Sequence, residues 1–178
     1  MTADTDTAFA CDAMLGGLAR WLRAAGYDAS WHPGIADWDL IRIAQRERRV
    51  LLSSDTGIFE VGIVRDRELP ALFIPHGIPK EEQLRFVLEH LNLSLREPRC
   101  MACGGILRAT TADAVRDRVP ARSLSWLEQF YECSRCGQVF WQGTHWQKIA
   151  KVLGEIRGTN ATESRAGDPL RGNEEPSD

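Results

Sequence analysis

The sequence has no apolar run of about 18 residues, the length that a membrane-spanning helix needs. Its first residues are polar and acidic, without the basic and apolar regions of a secretory signal peptide. It also lacks the GxxxxGK(S/T) and GxGxxG motifs of nucleotide-binding loops. These absences predict a cytoplasmic chain without a membrane span, and they argue against a nucleotide cofactor.

The net charge of −3 over 178 residues excludes the behaviour of a bulk polycation. The charge is unevenly distributed: residues 1–95 carry 10 Lys and Arg against 14 Asp and Glu, whereas residues 96–157 carry 10 against 6. After residue 157 the composition is too polar to bury a core. We therefore predict a main domain at residues 9–95, a smaller basic domain at residues 96–157, and disordered tails at residues 1–8 and 158–178.

Four of the five cysteines lie in two CxxCG units, which begin at Cys100 and Cys133, and 29 residues separate Cys103 from Cys133. Each CxxC turn brings two thiolates together, and two such turns supply the four ligands of a closed tetrahedral zinc site. The sequence therefore predicts a structural zinc ion, with a redox dithiol or an iron centre as alternatives. The predicted ligands are Cys100, Cys103, Cys133 and Cys136. The long linker predicts a small insertion around residues 112–124.

Basic and aromatic side chains are interleaved around these cysteines. The set comprises Arg96, Arg99, Arg108, Arg116, Arg118, Arg122, Arg135, Lys148 and Lys151 with Trp126, Phe130, Tyr131, Phe140, Trp141 and Trp146. Such a combination suits single-stranded nucleic acid, because guanidinium groups bind phosphates and rings stack on bases. The alternative is that most of these rings fill the core of a small zinc module.

Residues 9–95 alternate short apolar runs with segments of helical periodicity, which predicts an α/β fold with a mostly parallel sheet flanked by helices. One predicted strand ends on Asp12 and another ends near Asp55, while Asp37 stands at the start of the helix between them. The carboxyl ends of parallel strands meet at one edge of a sheet, where ligands usually bind. We therefore expect these three acids to face one crevice.

Three clustered carboxylates repel each other unless a hard cation lies among them, and Mg²⁺ or Mn²⁺ prefers such ligands together with water and phosphate oxygens. The reaction suited to such a site is metal-assisted hydrolysis of a phosphodiester. The alternatives are that Asp37 only caps a helix and that Asp12 and Asp55 are turn residues bound by nearby amides. Further possible ligands are Asp39, Glu60, Asp66 and Glu68.

The segments FACDAMLGGLARWLRAAGYD and DWDLIRIAQRERRVLLSSD, the two CxxCG units and FWQGTHW together resemble the predicted ribonuclease family of the Mut-seven exonuclease C-terminal type. The resemblance covers about residues 9–153 and implies a PIN-like nuclease domain followed by a zinc ribbon. It also implies that Asp12, Asp37 and Asp55 bind the catalytic cation.

The same resemblance implies roles for basic residues and for the cysteines. Arg20 and Arg23 match a segment where contact with substrate phosphate is plausible, although Arg23 could instead lie over the apolar face of its helix. The four cysteines of the CxxCG units match the ribbon ligands. Ser53-Ser54 stands where the family usually has Thr-Arg, so a phosphate contact from that arginine is missing.

The leading functional prediction is an Mg²⁺- or Mn²⁺-dependent endoribonuclease that cuts single-stranded RNA, with a structural zinc ion in the ribbon. In this prediction the ribbon positions single-stranded or structured RNA, or a protein partner. The main alternative is a non-catalytic module that binds RNA or protein and is built on a degenerate PIN-like domain. A small phosphatase or a toxin-like nuclease is a third, weaker hypothesis.

Overall fold

The computed structural model describes residues 7–125, 127, 129–141 and 144–163. Within this part of the chain, no helix combines the length and the hydrophobicity that crossing a bilayer requires.

The N-terminal part of the chain alternates strands and helices. Its strands are β1 (Ala8–Cys11), β2 (Asp28–Trp31), β3 (Val50–Ser53) and β4 (Ala71–Phe73). Its helices are α1 (Gly16–Ala24), α2 (Asp37–Arg46), α3 (Thr56–Glu60), α4 (Gly62–Arg65) and α5 (Lys80–His90), with a short 3-10 helix at Ala13–Leu15 before α1. The four strands pair in parallel in the order β2-β1-β3-β4, so the predicted α/β class is confirmed.

Successive side chains of β1 enter two different hydrophobic clusters, one on each face of the sheet. Phe9 and Cys11 pack with residues of α1 and α5, whereas Ala10 packs with residues of α2, α3 and α4. This alternation follows from the period of two in a strand. Because both faces are covered, the sheet is a buried parallel sheet with its ligand-accessible edge at the carboxyl ends of the strands.

Helix α1 ends in a Schellman motif. The Tyr27 amide donates to the Leu22 carbonyl and the Gly26 amide to the Arg23 carbonyl, with Gly26 at φ +96°. A Cβ at Gly26 would clash with the Cβ of Arg96, so a larger residue cannot occupy this position without displacing the segment that leads into the second unit, the part of the chain from residue 96 onward.

The C-terminal part contains β5 (Leu107–Thr110), α6 (Ala112–Val115), α7 (Ala121–Leu124), β6 (Phe130–Cys133), β7 (Val139–Trp141) and α8 (Thr144–Glu163). Its strands form an antiparallel sheet in the order β5-β6-β7. The short helices α6 and α7 occupy the insertion that the linker length predicts. A small hydrophobic cluster around Phe130, Val115 and Val119 lies on one face of this sheet.

Helix α8 is longer than the sequence suggests. The composition predicts disorder from residue 158, but the helix continues to Glu163. Ile156 is buried in the cluster that contains α1 and α5, so its packing gives this helix a stabilising contact that composition does not reveal. The predicted disorder of residues 1–8 is wrong at Ala8, which begins β1. The rest of the two predicted tails, at residues 1–6 and 164–178, lies outside the described ranges.

Candidate functional site

The sulfur atoms of the four CxxCG cysteines converge at one point, where all lie within 4.8 Å of one another. The Sγ atoms of Cys100 and Cys136 are 3.7 Å apart, and those of Cys103 and Cys133 are 3.5 Å apart. A tetrahedral zinc ion with Zn–S bonds of ~2.3 Å separates its sulfurs by ~3.8 Å. The four thiols therefore fit a closed structural zinc site.

Glycines shape both cysteine turns. Gly104 and Gly137 adopt φ +77° and +71°, and their amides donate to the carbonyls of Cys100 and Cys133. A Cβ at Gly105 would lie 2.6 Å from the Cys133 sulfur. Only glycine allows the backbone to approach the sulfurs this closely, so the cluster depends on these positions as well as on the ligands.

The Cys100 and Cys133 thiols differ in acidity. Burial opposes ionisation of Cys133, but the amides of Cys136 and Arg135 and the neighbouring thiols outweigh that effect and lower its pKa to about 6. Burial raises the pKa of Cys100 to about 12. A divalent cation would stabilise the remaining thiolates, as the chemistry of a four-thiolate site requires.

Arg23 joins this cluster to the main sheet. Its side chain is 5% exposed, and its Nε donates to the Ala29 carbonyl over 2.8 Å. Its Nη1 donates to the carbonyls of Met101 and Ala102 over 3.0 and 2.9 Å. These carbonyls belong to the first cysteine turn, so the structure gives Arg23 structural partners rather than an exposed position towards a substrate phosphate.

The second candidate site lies at the carboxyl edge of the parallel sheet. Asp12 follows β1 directly, and Asp55 is two residues beyond the end of β3. Helix α2 returns from β2 to β3 against the strand direction, so Asp37 at its first position lies at the same edge. Neighbouring strands β1 and β3 send the chain to opposite faces, which makes this edge the topological switch point of the sheet.

Asp12 is fixed by two hydrogen bonds. Its carboxylate accepts from the Ala13 amide and, over 2.6 Å, from the hydroxyl of Ser53. The same Ser53 oxygen accepts from the Asp55 amide over 2.9 Å. Asp12 is 7% exposed and Ser53 is fully buried, so this link holds the ends of β1 and β3 together. A single sequence gives no signal for this role of Ser53.

Asp37 and Asp55 are exposed. Asp55 caps α3 by accepting from the Gly57 amide over 2.8 Å, whereas Ala36 and not Asp37 occupies the cap position of α2. Within the described residues, the four cysteines are the group of three or more potential ligands that lie close enough to share an ion. The three carboxylates share an edge of the sheet but do not form such a group.

Two cations lie beside helix α1. Arg20 is exposed and lines a small pocket of about 200 Å³ with Lys80 of α5. A Cβ at Gly17 would lie 2.5 Å from the Lys80 side chain, so the lysine stem rests directly on the glycine backbone. Lys80 and Arg20 are 60 residues apart in the chain, so no local sequence pattern links the two cations.

The additional acids suggested by the sequence serve other contacts or lie on the surface. Asp39 pairs with Arg42 over 3.3 Å, and Asp66 pairs with Arg65 over 2.9 Å. Glu60 and Glu68 are exposed.

A comparison with protein families matches residues 7–153 to the model described as the Mut7-C RNAse domain. The chain belongs to the Mut7-C RNAse domain family. The resemblance deduced from the sequence motifs is thus confirmed, and an RNAse domain indicates a nuclease type of function with RNA as substrate. Neither the curated proteins nor the solved structures contain a match to the chain.

Proposed function

We propose that this Mut7-C chain is an endoribonuclease that hydrolyses phosphodiester bonds of single-stranded RNA with Mg²⁺ or Mn²⁺ held by Asp12, Asp37 and Asp55. The observation that carries the proposal is the hydrogen-bonded link from Asp12 through the Ser53 hydroxyl to the Asp55 amide. This link fixes a buried carboxylate at the switch point of a parallel sheet, in a family described as an RNAse domain.

Each residue has a defined part in this proposal. Asp12 provides a carboxylate whose orientation Ser53 fixes, and the exposed Asp37 and Asp55 complete the hard oxygen ligands. When bound, the cation would polarise the phosphodiester and lower the pKa of a bound water. Arg20 and Lys80 bind RNA phosphates beside α1. Arg23 does not share this role, because its side chain is buried and donates to three carbonyls.

The zinc ribbon completes the proposed enzyme without taking part in the chemistry. Four protein thiolates fill the coordination sphere of zinc, so no position is left for water or substrate. The zinc ion would instead stabilise strands β5 to β7 of the ribbon beside the nuclease domain.

The second candidate function is a non-catalytic module that binds RNA or protein. It is favoured by one observation, that the three carboxylates are not gathered within ligand distance of one another. A domain that has lost turnover could keep the fold and the Ser53 link.

Cleavage of labelled single-stranded RNA in Mn²⁺ tests the proposal. Asp12→Asn and Asp55→Asn should each reduce cleavage at least about 100-fold, since loss of outer partners of a metal site alone costs 10–100-fold. Asp113→Asn is the matched control, because Asp113 is an exposed acid of the second unit that pairs with Arg116. Absence of cleavage by wild-type protein with zinc bound and a folded spectrum would favour the binding module instead.

A further inference from the structure

A pocket of about 660 Å³ lies between the second unit and the C-terminal end of helix α1. Four aromatic side chains and two arginines line it, namely Tyr131, Phe140, Trp141, Trp146, Arg96 and Arg99. The exposed Ile106 adds apolar surface at the wall. The pocket is separate from the carboxylate edge, because α1 runs away from Asp12 for nine residues, or ~13 Å.

The floor of the pocket is one face of the antiparallel sheet. Tyr131 is paired with Phe140, so their side chains lie on the same face. The neighbouring Phe130 points to the opposite face, where it is buried in the small core with Val115 and Val119. The sheet therefore has one face covered by its own helices and another that presents aromatic rings to a cavity.

Tyr131, Phe140 and Trp146 are not members of the small core, whereas Trp141 is paired with Phe130 and packs against that core. Tyr131, Phe140 and Trp146 are only partly buried, whereas Phe130 is 1% exposed. The structure thus places Phe130 in the small core and Tyr131, Phe140 and Trp146 at the cavity, while Trp141 contacts both. An antiparallel sheet with aromatic rings on an open face is the arrangement on which single-stranded RNA bases stack in RNA-binding modules.

The charge of the pocket suits a polyanion. Arg96 lies over the Tyr27 ring at 4.3 Å, and Arg99 donates to the Gly104 carbonyl over 2.9 Å. Both are held against α1, because their amides donate to the carbonyls of Ala25 and Arg23. Glu97 is the acid in the lining, so the two arginines leave a net positive charge beside the rings.

We propose that this pocket binds unpaired nucleotides of the RNA, with bases stacked on Tyr131 and Phe140 and phosphates facing Arg96 and Arg99. The inference rests on the proposed function for the identity of the ligand, and it adds a second RNA contact away from the cleavage edge. Nucleotides held here lie some distance from the scissile bond. RNA long enough to reach both the pocket and the carboxylate edge should therefore bind more tightly than short RNA.

Binding of a labelled single-stranded RNA of about 12 nucleotides to the Asp12→Asn protein tests the pocket, since single-stranded sites span ~4–16 nucleotides. The uncleaving protein separates binding from turnover, and zinc must be retained. Phe140→Ala should raise Kd about tenfold, as stacking on one aromatic ring is worth ~1–3 kcal/mol per base. Phe140→Tyr should bind like the parent.

The charged wall has its own variant and control. Arg99→Ala should raise Kd and reduce its salt dependence. Arg122→Ala should not, since Arg122 is an exposed arginine of α7 that does not line the pocket. Zinc content and circular dichroism show whether each variant is folded, and Arg99→Ala tests the pocket independently if Phe140→Ala does not fold.

Equal binding by folded Phe140→Ala, Arg99→Ala and parent proteins would overturn the pocket proposal, even if wild-type protein cuts RNA. Absence of RNA binding by the parent would also overturn it. Conversely, loss of binding in the pocket variants with no cleavage by wild-type protein would support the pocket while removing the proposed catalytic function.

Discussion

The four-cysteine cluster and the carboxylate edge are assembled to different degrees. Four thiols converge within 4.8 Å, and glycines in left-handed conformations close both turns around them. At the carboxylate edge only Asp12 is buried and bonded through both oxygens, whereas Asp37 and Asp55 are exposed. A structural zinc site takes all its ligands from the protein, as the four thiols can supply, whereas the Mg²⁺ or Mn²⁺ that we propose for the carboxylate edge would keep several waters and bind few carboxylates.

The largest expected effect follows loss of a zinc ligand. Cys133→Ser should abolish stoichiometric zinc binding and unfold the β5-β6-β7 sheet, since structural zinc contributes ~10 kcal/mol or more to the folding of small zinc modules. Cys11→Ala is the control, because Cys11 is buried in the core of the parallel sheet and does not belong to the four-cysteine cluster. The amount of bound zinc is measured, and hydrogen exchange shows separately whether the parallel sheet and the β5-β6-β7 sheet remain folded. Retention of protected amides in β6 without zinc would contradict the structural role.

The next effect concerns the contact between the nuclease domain and the second unit, which Arg23 makes. Arg23→Met should destabilise the protein by about 2–4 kcal/mol, because the carbonyls of Ala29, Met101 and Ala102 lose a charged donor that is itself buried. Denaturant unfolding measures this change. Arg20→Met, on the exposed side of the same helix, should be close to neutral in stability. Equal stability of both variants would show that the Arg23 contacts do not hold the regions together.

Sequence reasoning succeeded where the determinants are local. The CxxCG spacing defines both cysteine turns within five residues each, and the alternation of strands and helices defines the parallel sheet. It did not anticipate the partners of Arg23, because Met101 and Ala102 lie 78 and 79 residues away. The Ser53 link likewise spans 41 residues. No periodicity in one sequence encodes such contacts, which exist only after the sheet and the ribbon have packed.

A smaller effect should come from Ser53→Ala at the carboxylate edge. The variant loses the hydrogen bond to Asp12 and the acceptor for the Asp55 amide, which should cost about 1–2 kcal/mol of stability. RNA cleavage should fall about tenfold, as expected for a partner that orients a metal ligand.

Two matched variants sharpen this test. Ser53→Thr keeps a hydroxyl and should retain most of the activity. Ser54→Ala changes the adjacent buried serine and should leave cleavage near the wild-type rate if the hydrogen bond of Ser53, and not local packing, is responsible. Equal loss of cleavage in Ser53→Ala and Ser54→Ala would contradict the orienting role.

The smallest effect is expected at Cys11, whose reactivity shows whether the parallel sheet and the second unit unfold separately. Cys11 is 1% exposed on β1, and burial raises its pKa to about 12 despite the nearby Arg23 and Arg49. A thiol must ionise and be reached before it reacts, so Cys11 should stay unmodified by a thiol reagent at neutral pH. Removal of zinc should expose the four cluster thiols while the fifth remains protected until denaturant is added. If Cys11 instead reacted at the same rate as the cluster thiols, the parallel sheet would depend on the ribbon, and the contacts of Arg23 and Ile156 would make the two regions one cooperative unit.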